Sequence, residues 1–441
     1  MSSATTQGGL ESMLGFNPTD PGFRQDPYPH YRRLRENTPV FRSPAGFWVL
    51  ARHRECDRVL RDERFGYPAP TAAPGNAAPD GDGQDGNGAD GNGADGNGAA
   101  GNGAAGDGPA LPGGFADQRH MLIFMNPPDH TRMRRVLRDT FGPRVMRNAT
   151  GYIENRIERL LDGALADGPR FDLISSVAHQ LPFGVICHLL GVPEPDHPMI
   201  EKWAQDYLSG VSPSFTVSQA NHQARDEALA GLNDYFRRLA TERRQSPGED
   251  VLTRLTAEVD EGHISEQELL GTCILLFIAG HGTTTNLIGN GTLALLRNPD
   301  QLARFRAEPD LAATAVEELL RYDSPSHLSI RVAFEDVALD EENVVRAGEQ
   351  VIVMRGAANR DPDVFTDPDT LDLGRVDNRH LSFASGIHVC FGAPLARTQG
   401  RIALGAIFRR APRLTLAAER LEYKPSLLSR ALVELPVSAD G

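Results

Sequence analysis

The sequence predicts a mainly α-helical protein with small β-sheets, folded as one large domain over residues 1–441. Apolar residues recur at helical spacing along most of the chain, and one apolar stretch is long enough to cross a protein interior. Strand-like runs are short and lie late in the sequence. With 40% hydrophobic residues in a chain of this length, a large core can be buried.

Most of the predicted helices precede the predicted strands. Helical spacing is found at 32–36, 55–64, 127–141, 152–167 and 220–245. Strand-like runs are found at 331–334, 337–339 and 350–354.

The central helix is predicted to begin at a capping box, Ser265-Glu-Gln-Glu268, directly before an apolar run. No strong breaker follows until Asn298-Pro299, so we expect one helix of about 33 residues, ~50 Å long. A helix this long and apolar must pass through the middle of the molecule.

Residues 74–114 form a low-complexity segment rich in Gly, Asp, Asn and Ala, without Lys or Arg. Asp-Gly-Asn-Gly-Ala repeats three times from Asp85. A calcium loop is the alternative interpretation, but the repeat lacks the terminal bidentate Glu of an EF-hand. Such a composition buries too little surface to offset its ordering entropy, so disorder is predicted.

Composition excludes several classes of protein. The chain has 45 Lys+Arg against 59 Asp+Glu, a net charge of −14, which argues against a nucleic-acid binder. No apolar run reaches the ~18 residues of a membrane span, and the first residues lack signal-peptide features. We therefore expect a soluble, cytoplasmic protein that neither binds nucleic acid nor enters a membrane.

The four cysteines differ in their surroundings. Cys56, Cys187 and Cys273 lie in apolar helical patterns and are interpreted as core residues. Cys390 follows a glycine-containing loop and precedes a predicted helix at 393–408, where backbone N–H groups stabilise a thiolate. It is a plausible axial ligand for haem iron. A buried structural cysteine, or a zinc site with His380 and His388, remains open at this point.

The segment Phe383-Ala-Ser-Gly-Ile-His-Val-Cys-Phe-Gly392 closely resembles the haem-binding loop of the cytochrome P450 family. The family pattern Phe-Gly-x-Gly-x-His-x-Cys-x-Gly has Ala384 in place of one glycine. The positions that match are Phe383, Gly386, His388, Cys390 and Gly392. The resemblance extends over about 17–437 and implies the P450 fold, with Cys390 as the axial thiolate of haem b.

The resemblance also implies roles for two further groups of residues. The partners of the haem propionates correspond to His130, Arg134, Arg331 and His388. The Glu-x-x-Arg motif corresponds to Glu318 and Arg321, which lie on one helix face and with Arg375 form a structural network. A solvated basic face and an ordinary surface ion pair are the alternatives from local pattern alone.

In the family, the central helix bends over the iron at Ala-Gly-x-(Asp/Glu)-Thr. Ala279 and Gly280 correspond to the small residues that leave room for O2 and substrate, and Thr283 to the hydroxyl that helps deliver protons. Gly282 stands where the acid is expected. His281 is not expected to replace it, because relatives often carry His there beside the acid. Water or a substrate group relaying protons, a reaction that depends less on the relay, and leaky turnover remain three hypotheses.

The resemblance implies a soluble, bacterial-type, monomeric monooxygenase. It would use O2, with electrons from NAD(P)H through ferredoxin reductase and ferredoxin, to hydroxylate or epoxidise an apolar natural product. Polyketides, macrolides and terpenoids, some of them carrier-tethered, are the expected substrates. Oxidative coupling or desaturation, a non-catalytic haem sensor and a peroxide-driven oxidase are the alternatives. Candidate substrate contacts are Ser326, His327, Leu328 and Ser329, while Arg397 and Arg401 are candidates for a basic donor-docking face.

Overall fold

The structure is a computed structural model that describes residues 17, 20–44, 46–67, 119–211 and 219–440. These residues form fifteen α-helices. In chain order they are α1 Pro21–Gln25, α2 Tyr28–Asn37, α3 His53–Arg61, α4 Asp129–Thr140, α5 Pro143–Ala166, α6 Gln180–Leu190, α7 His197–Val211, α8 Gln219–Gln245, α9 Val251–Asp260, α10 Glu266–Gly280, α11 Gly282–Arg297, α12 Pro299–Ala307, α13 Ala312–Tyr322, α14 Arg355–Ala358 and α15 Ala393–Arg410. A π-helical turn, Ile174–Ala178, precedes α6.

The described residues also form ten short strands in three sheets. They are β1 Val40–Arg42, β2 Trp48–Leu50, β3 Phe65–Gly66, β4 Arg170–Asp172, β5 Ser329–Ala333, β6 Val337–Ala338, β7 Val344–Val345, β8 Gln350–Val353, β9 Thr415–Leu416 and β10 Pro436–Ser438. The sheet orders are β1-β2-β8-β5-β3, β4-β10-β9 and β6-β7. The mainly α prediction with small sheets is therefore confirmed.

The largest sheet joins strands from the first 66 residues to strands from residues 329–353. β2 pairs in parallel with β8, with Trp48 opposite Val351 and Leu50 opposite Val353. β5 pairs antiparallel with β8, with Arg331 opposite Val351. The expectation that strands lie only late in the chain was wrong. Strands of two or three residues are too short to show an alternating pattern, and pairing with distant segments stabilises them.

The central helix is two helices in the structure, not one. α10 ends at Gly280 and α11 begins at Gly282, with His281 between them at φ −99° and ψ −48°. The capping box is present, because Ser265 and Glu268 each accept a hydrogen bond from the other's backbone N–H. The prediction of one uninterrupted helix was therefore wrong, because the helix breaks at His281. The glycines on both sides of His281 lower the free-energy cost of bending the helix there.

The core extends around these central helices. A large apolar cluster includes Cys187, Cys273 and Phe277, and a smaller one under the largest sheet includes Cys56. All three cysteines are fully buried, as predicted. Within the described ranges, no helix is long and apolar enough to cross a membrane. The predicted disordered segment, 74–114, lies outside the described residues.

Candidate active site

The Cys390 loop is held in one conformation by its backbone. A 3-10 turn, Gly386–His388, brings the chain to Cys390, whose N–H donates to the carbonyl of Phe383 at 2.8 Å. Gly386 has φ +72°, and a Cβ there would lie 2.2 Å from the carbonyl oxygen of Leu60. Only glycine fits at this position. α15 begins at Ala393, so Cys390 lies just before a helix N-terminus, as the sequence predicted.

Cys390 is the one cysteine with an exposed surface. The protein around its thiol raises the pKa by desolvation, while the Gly392 N–H and the Arg355 guanidinium act in the opposite direction. Metal coordination is what converts such a thiol to a thiolate at neutral pH. A Cβ at position 392 would lie 4.0 Å from the sulfur, an ordinary van der Waals contact, so Gly392 lies directly beside the thiol.

The four predicted propionate partners lie together. The rings of His130 and His388 are 4.4 Å apart between centroids, and both are next to Arg134 and Arg331. Arg331 is 1% exposed and lies over the ring of Tyr67. Burial, with these arginines, lowers the pKa of His130 to about 4 and that of His388 to about 3.

This basic cluster has unused hydrogen-bonding capacity. The Nε2 atoms of His130 and His388 are buried without a partner among the described residues. No carboxylate in that part of the chain forms an ion pair with Arg134 or Arg331. Buried cations without counter-charges are costly, so the cluster fits a ligand that carries carboxylates. The two propionates of haem b have this chemistry, and the Cys390 thiol provides a soft ligand for its iron.

The residues that the family resemblance assigns to the oxygen-binding side lie at the break between α10 and α11. The Thr283 hydroxyl donates to the carbonyl of Ala279 at 3.1 Å. A Cβ at Gly280 would lie 2.8 Å from Ile186 Cδ1, so Gly280 allows close packing there. A Cβ at Gly282 would meet no atom within 4 Å, so the first atom of a side chain is accommodated there. His281 is buried, and its Nδ1 donates to the carbonyl of Phe277.

Glu318 and Arg321 form a fully buried, two-pronged ion pair, with both N–O distances 2.8 Å. Arg375 joins them through its Nε, 3.1 Å from Glu318 Oε2. Arg321 also donates to three backbone carbonyls, those of Asn359, Pro368 and Thr370. The predicted trio is therefore in contact, and it connects α13 to the chain that leads to the Cys390 loop.

The four consecutive candidate substrate residues, 326–329, have different surroundings in the structure. The His327 ring is buried and bonds the Tyr31 hydroxyl at 2.8 Å through Nδ1. Leu328 packs in the same N-terminal cluster. Ser326 accepts a hydrogen bond from Arg355. Ser329 begins β5, the strand that also carries Arg331. Sequence position alone could not distinguish a pocket loop from a core loop.

The zinc alternative is not supported. His380 bonds Glu317, at 3.2 Å from its Nε2. Within the described residues, Cys390, His380 and His388 do not form a group of converging metal ligands. Arg397 also binds Glu317 and lies over the ring of Phe383, so its charge is partly satisfied. Arg401, one turn further along α15, is exposed.

Arg355 is the residue of the site that the sequence analysis missed. It is 8% exposed, and its charge acts on both Cys390 and Arg331. The available signal was an arginine inside an otherwise apolar run, Val351-Ile-Val-Met-Arg-Gly-Ala-Ala358. A charge in such a run is rare unless it has a specific role.

Comparisons with known proteins agree with this fold and site. The family model described as Cytochrome P450 matches residues 113–411. The chain is 34% identical to "Biotin biosynthesis cytochrome P450" of Bacillus subtilis, covering 94% of this chain and 97% of that protein. It is 33% identical to "Polyketide biosynthesis cytochrome P450 PksS" of the same organism, covering 96% and 98%.

A solved structure shows the same architecture. The crystal structure of P450BioI in complex with an acyl carrier protein ligated to hexadec-9Z-enoic acid superposes with a TM-score of 0.79 at 33% identity. The match covers 95% of this chain and 99% of that one. The fold, the thiol loop and these similarities define a haem-dependent oxygenase. The chain belongs to the cytochrome P450 family.

Proposed function

We propose that this chain inserts one oxygen atom of O2 into a C–H or C=C bond of an apolar small molecule, and that the thiolate of Cys390 would hold the iron of haem b. The observation that carries the proposal is the exposed thiol at the start of α15 beside a buried basic cluster without counter-charges. When bound, haem supplies the O2 binding and one-electron chemistry that protein side chains lack.

The protein residues have separate tasks in this proposal. His130, Arg134, Arg331 and His388 bind the propionates and fix the orientation of the ring. Gly386 and Gly392 let the backbone approach it closely. Ala279 would leave space for O2 and substrate, Gly280 allows the close packing on Ile186, and the Thr283 hydroxyl would pass protons into that space. Because position 282 is glycine, the acidic side chain that the family usually has beside this threonine is absent from the proton-delivery route.

We propose that the electrons come from NAD(P)H through ferredoxin reductase and a ferredoxin, one at a time. A basic surface next to Cys390 would suit an acidic iron–sulfur donor. Arg401 is an exposed cation on the helix that follows Cys390, while Arg397 is paired with Glu317. The enzyme is expected to work as a monomer with this separate donor.

The proposed substrates are natural products of the polyketide, macrolide or terpenoid type. The similarity to a polyketide-biosynthesis P450 supports this class. The P450BioI complex, in which the fatty acid is attached to an acyl carrier protein, supports a carrier-tethered substrate as one form.

A ligand titration tests the proposal. Purified protein is titrated with free and carrier-linked compounds of each class while the Soret band is followed, and a ferrous–CO spectrum is recorded in parallel. A thiolate-type CO band and a low- to high-spin shift with one class are expected. Cys390→Ser should lose that band while Cys187→Ala keeps it. Loss of the band in the wild type would overturn the assignment of Cys390, and no shift with any class would overturn the substrate proposal.

A further inference from the structure

Arg355 is a buried cation without a counter-ion. It is the first residue of α14, directly after β8, and it is 8% exposed. Within the described residues it forms no ion pair with a carboxylate. A buried guanidinium of this kind is expensive unless its position has a use.

The guanidinium connects two loops of the site. One terminal nitrogen donates to the carbonyl of Ser382 at 3.0 Å. The other donates to the hydroxyl of Ser326 at 2.5 Å and to the carbonyl of Leu328 at 2.8 Å. The Nε atom has no partner. Arg355 thereby holds the chain before β5 against the residue that precedes Phe383.

Two hydrogen bonds and the Ser382–Phe383 peptide unit connect the Arg355 guanidinium to the backbone of Cys390. Ser382 is followed by Phe383, whose carbonyl accepts the N–H of Cys390. Burial lowers the pKa of Arg355 to about 10, an effect opposed by Tyr67 and Cys390 and reinforced by Arg331. Arg355 therefore stays protonated at neutral pH. Because it is buried away from water, its field is screened far less than that of a surface arginine.

We propose that Arg355 raises the reduction potential of the haem by holding a fixed positive charge against the Cys390 loop. In the reduction step one electron passes from the donor protein to the iron, and no bond forms or breaks. The reduced site carries one more negative charge, so a nearby cation stabilises it relative to the oxidised site. The inference rests on the proposed function, because it requires haem on Cys390.

The test compares a neutral variant with a matched control. Arg35 is also a buried arginine, 4% exposed, with an unpartnered Nε and a bond to a backbone carbonyl, that of Ala357. The charges that act on Arg35 do not include Cys390. Reduction potentials of the haem-loaded wild type, Arg355→Gln and Arg35→Gln are measured by spectroelectrochemical titration. Arg355→Gln should lower the reduction potential by at least about 59 mV, which is a tenfold shift of the one-electron equilibrium toward the oxidised form. Arg35→Gln should leave the potential nearly unchanged.

Arg355→Lys provides a readout that a purely structural role would not change. Burial lowers the pKa of a lysine far more readily than it neutralises arginine. The potential of this variant should approach that of the wild type at low pH and that of Arg355→Gln at high pH, after the pH dependence of the wild type is subtracted. If the Gln variant fails to retain haem, this curve decides alone.

Three results would overturn the inference. They are equal shifts in Arg355→Gln and Arg35→Gln, no shift in Arg355→Gln, and a Lys variant whose potential runs parallel to that of the wild type at every pH. Each counts against Arg355 only when the wild type shows the thiolate-type CO band. A wild type without that band would instead refute the proposed function.

Discussion

Ala384 has a backbone conformation that glycine adopts more easily. Its φ is +58°, in the left-handed region, at the position where the family pattern has glycine. A Cβ in this region costs about 1–2 kcal/mol, part of which glycine gives back as extra freedom in the unfolded chain. We predict that Ala384→Gly raises the free energy of unfolding by up to about 1 kcal/mol, measured by chemical denaturation. A clear loss of stability would show that the methyl group's packing outweighs the strain.

Gly282 has open space at the point where a side chain would begin. No atom lies within 4 Å of a Cβ built there, so the first side-chain atom does not displace a neighbour. We predict that Gly282→Glu increases the product formed per NAD(P)H consumed, because a carboxyl beside Thr283 supplies a proton donor. Gly282→Gln, of similar size but not ionisable, is the control. An unchanged ratio in the Glu variant would mean that proton delivery does not depend on this position.

His327 should make stability depend on pH. Burial, together with Arg430 and Arg355, lowers its pKa to about 3, against about 6.5 in an unfolded chain. The unfolded state therefore binds a proton that the folded state excludes, and stability falls as pH drops from about 6.5 toward 3. Between pH 7 and pH 5 we predict a loss of about 2 kcal/mol from this residue. His327→Gln should show a correspondingly smaller loss in urea unfolding, and an identical loss would contradict the assignment.

Some roles at the residue scale can be predicted from sequence and others cannot. Cys390 and the glycines around it form a contiguous motif, so their proximity follows from chain order. Arg355 is different, because its role depends on which backbone carbonyls surround its guanidinium. Those carbonyls belong to Ser382 and Leu328, each more than 25 residues away in the sequence. The same limit applies to His327, because its hydrogen-bond partner Tyr31 lies 296 residues earlier in the sequence.

At the scale of elements, helices were predictable because their periodicity is local. The apolar spacing at 220–245 and the capping box at Ser265 both correspond to helices in the structure. The predicted helix at 152–167 begins earlier, at Pro143, a residue that is itself a common helix start. The N-terminal strands of the largest sheet, β1 and β2, were not predicted, because three residues are too few to show an alternating pattern.

The ion pairs of Glu318 connect α13 to the segment that contains Arg375. Glu318 is fully buried and pairs with Arg321 and Arg375. Glu318→Gln leaves two arginines without a counter-charge, so we predict a loss of about 3–5 kcal/mol in the free energy of unfolding. The neighbouring Glu317 is partly exposed, and Glu317→Gln should cost clearly less. Equal losses in urea titrations of the two variants would show that burial of Glu318 adds nothing.

At the scale of the whole molecule, we expect that the low-complexity segment is not needed for the fold. Residues 74–114 interrupt the chain between β3 and α4, and loop closure depends only weakly on loop length. We predict that deletion of 74–114 changes the free energy of unfolding by less than about 1 kcal/mol. The CO spectrum should also stay unchanged. Loss of substrate-induced spin shift in an otherwise stable deletion variant would assign the segment to substrate entry.

The parallel pairing of β2 with β8 also orders events during synthesis. Trp48 and its partner Val351 are separated by about 300 residues, so β2 leaves the ribosome long before its neighbour exists. At typical rates of about 5–20 residues per second, the amino-terminal segment waits on the order of 15–60 seconds. Throughout that delay the apolar side chains of Phe23, Tyr31 and Val49, buried together in the finished protein, remain open to chaperones and to aggregation.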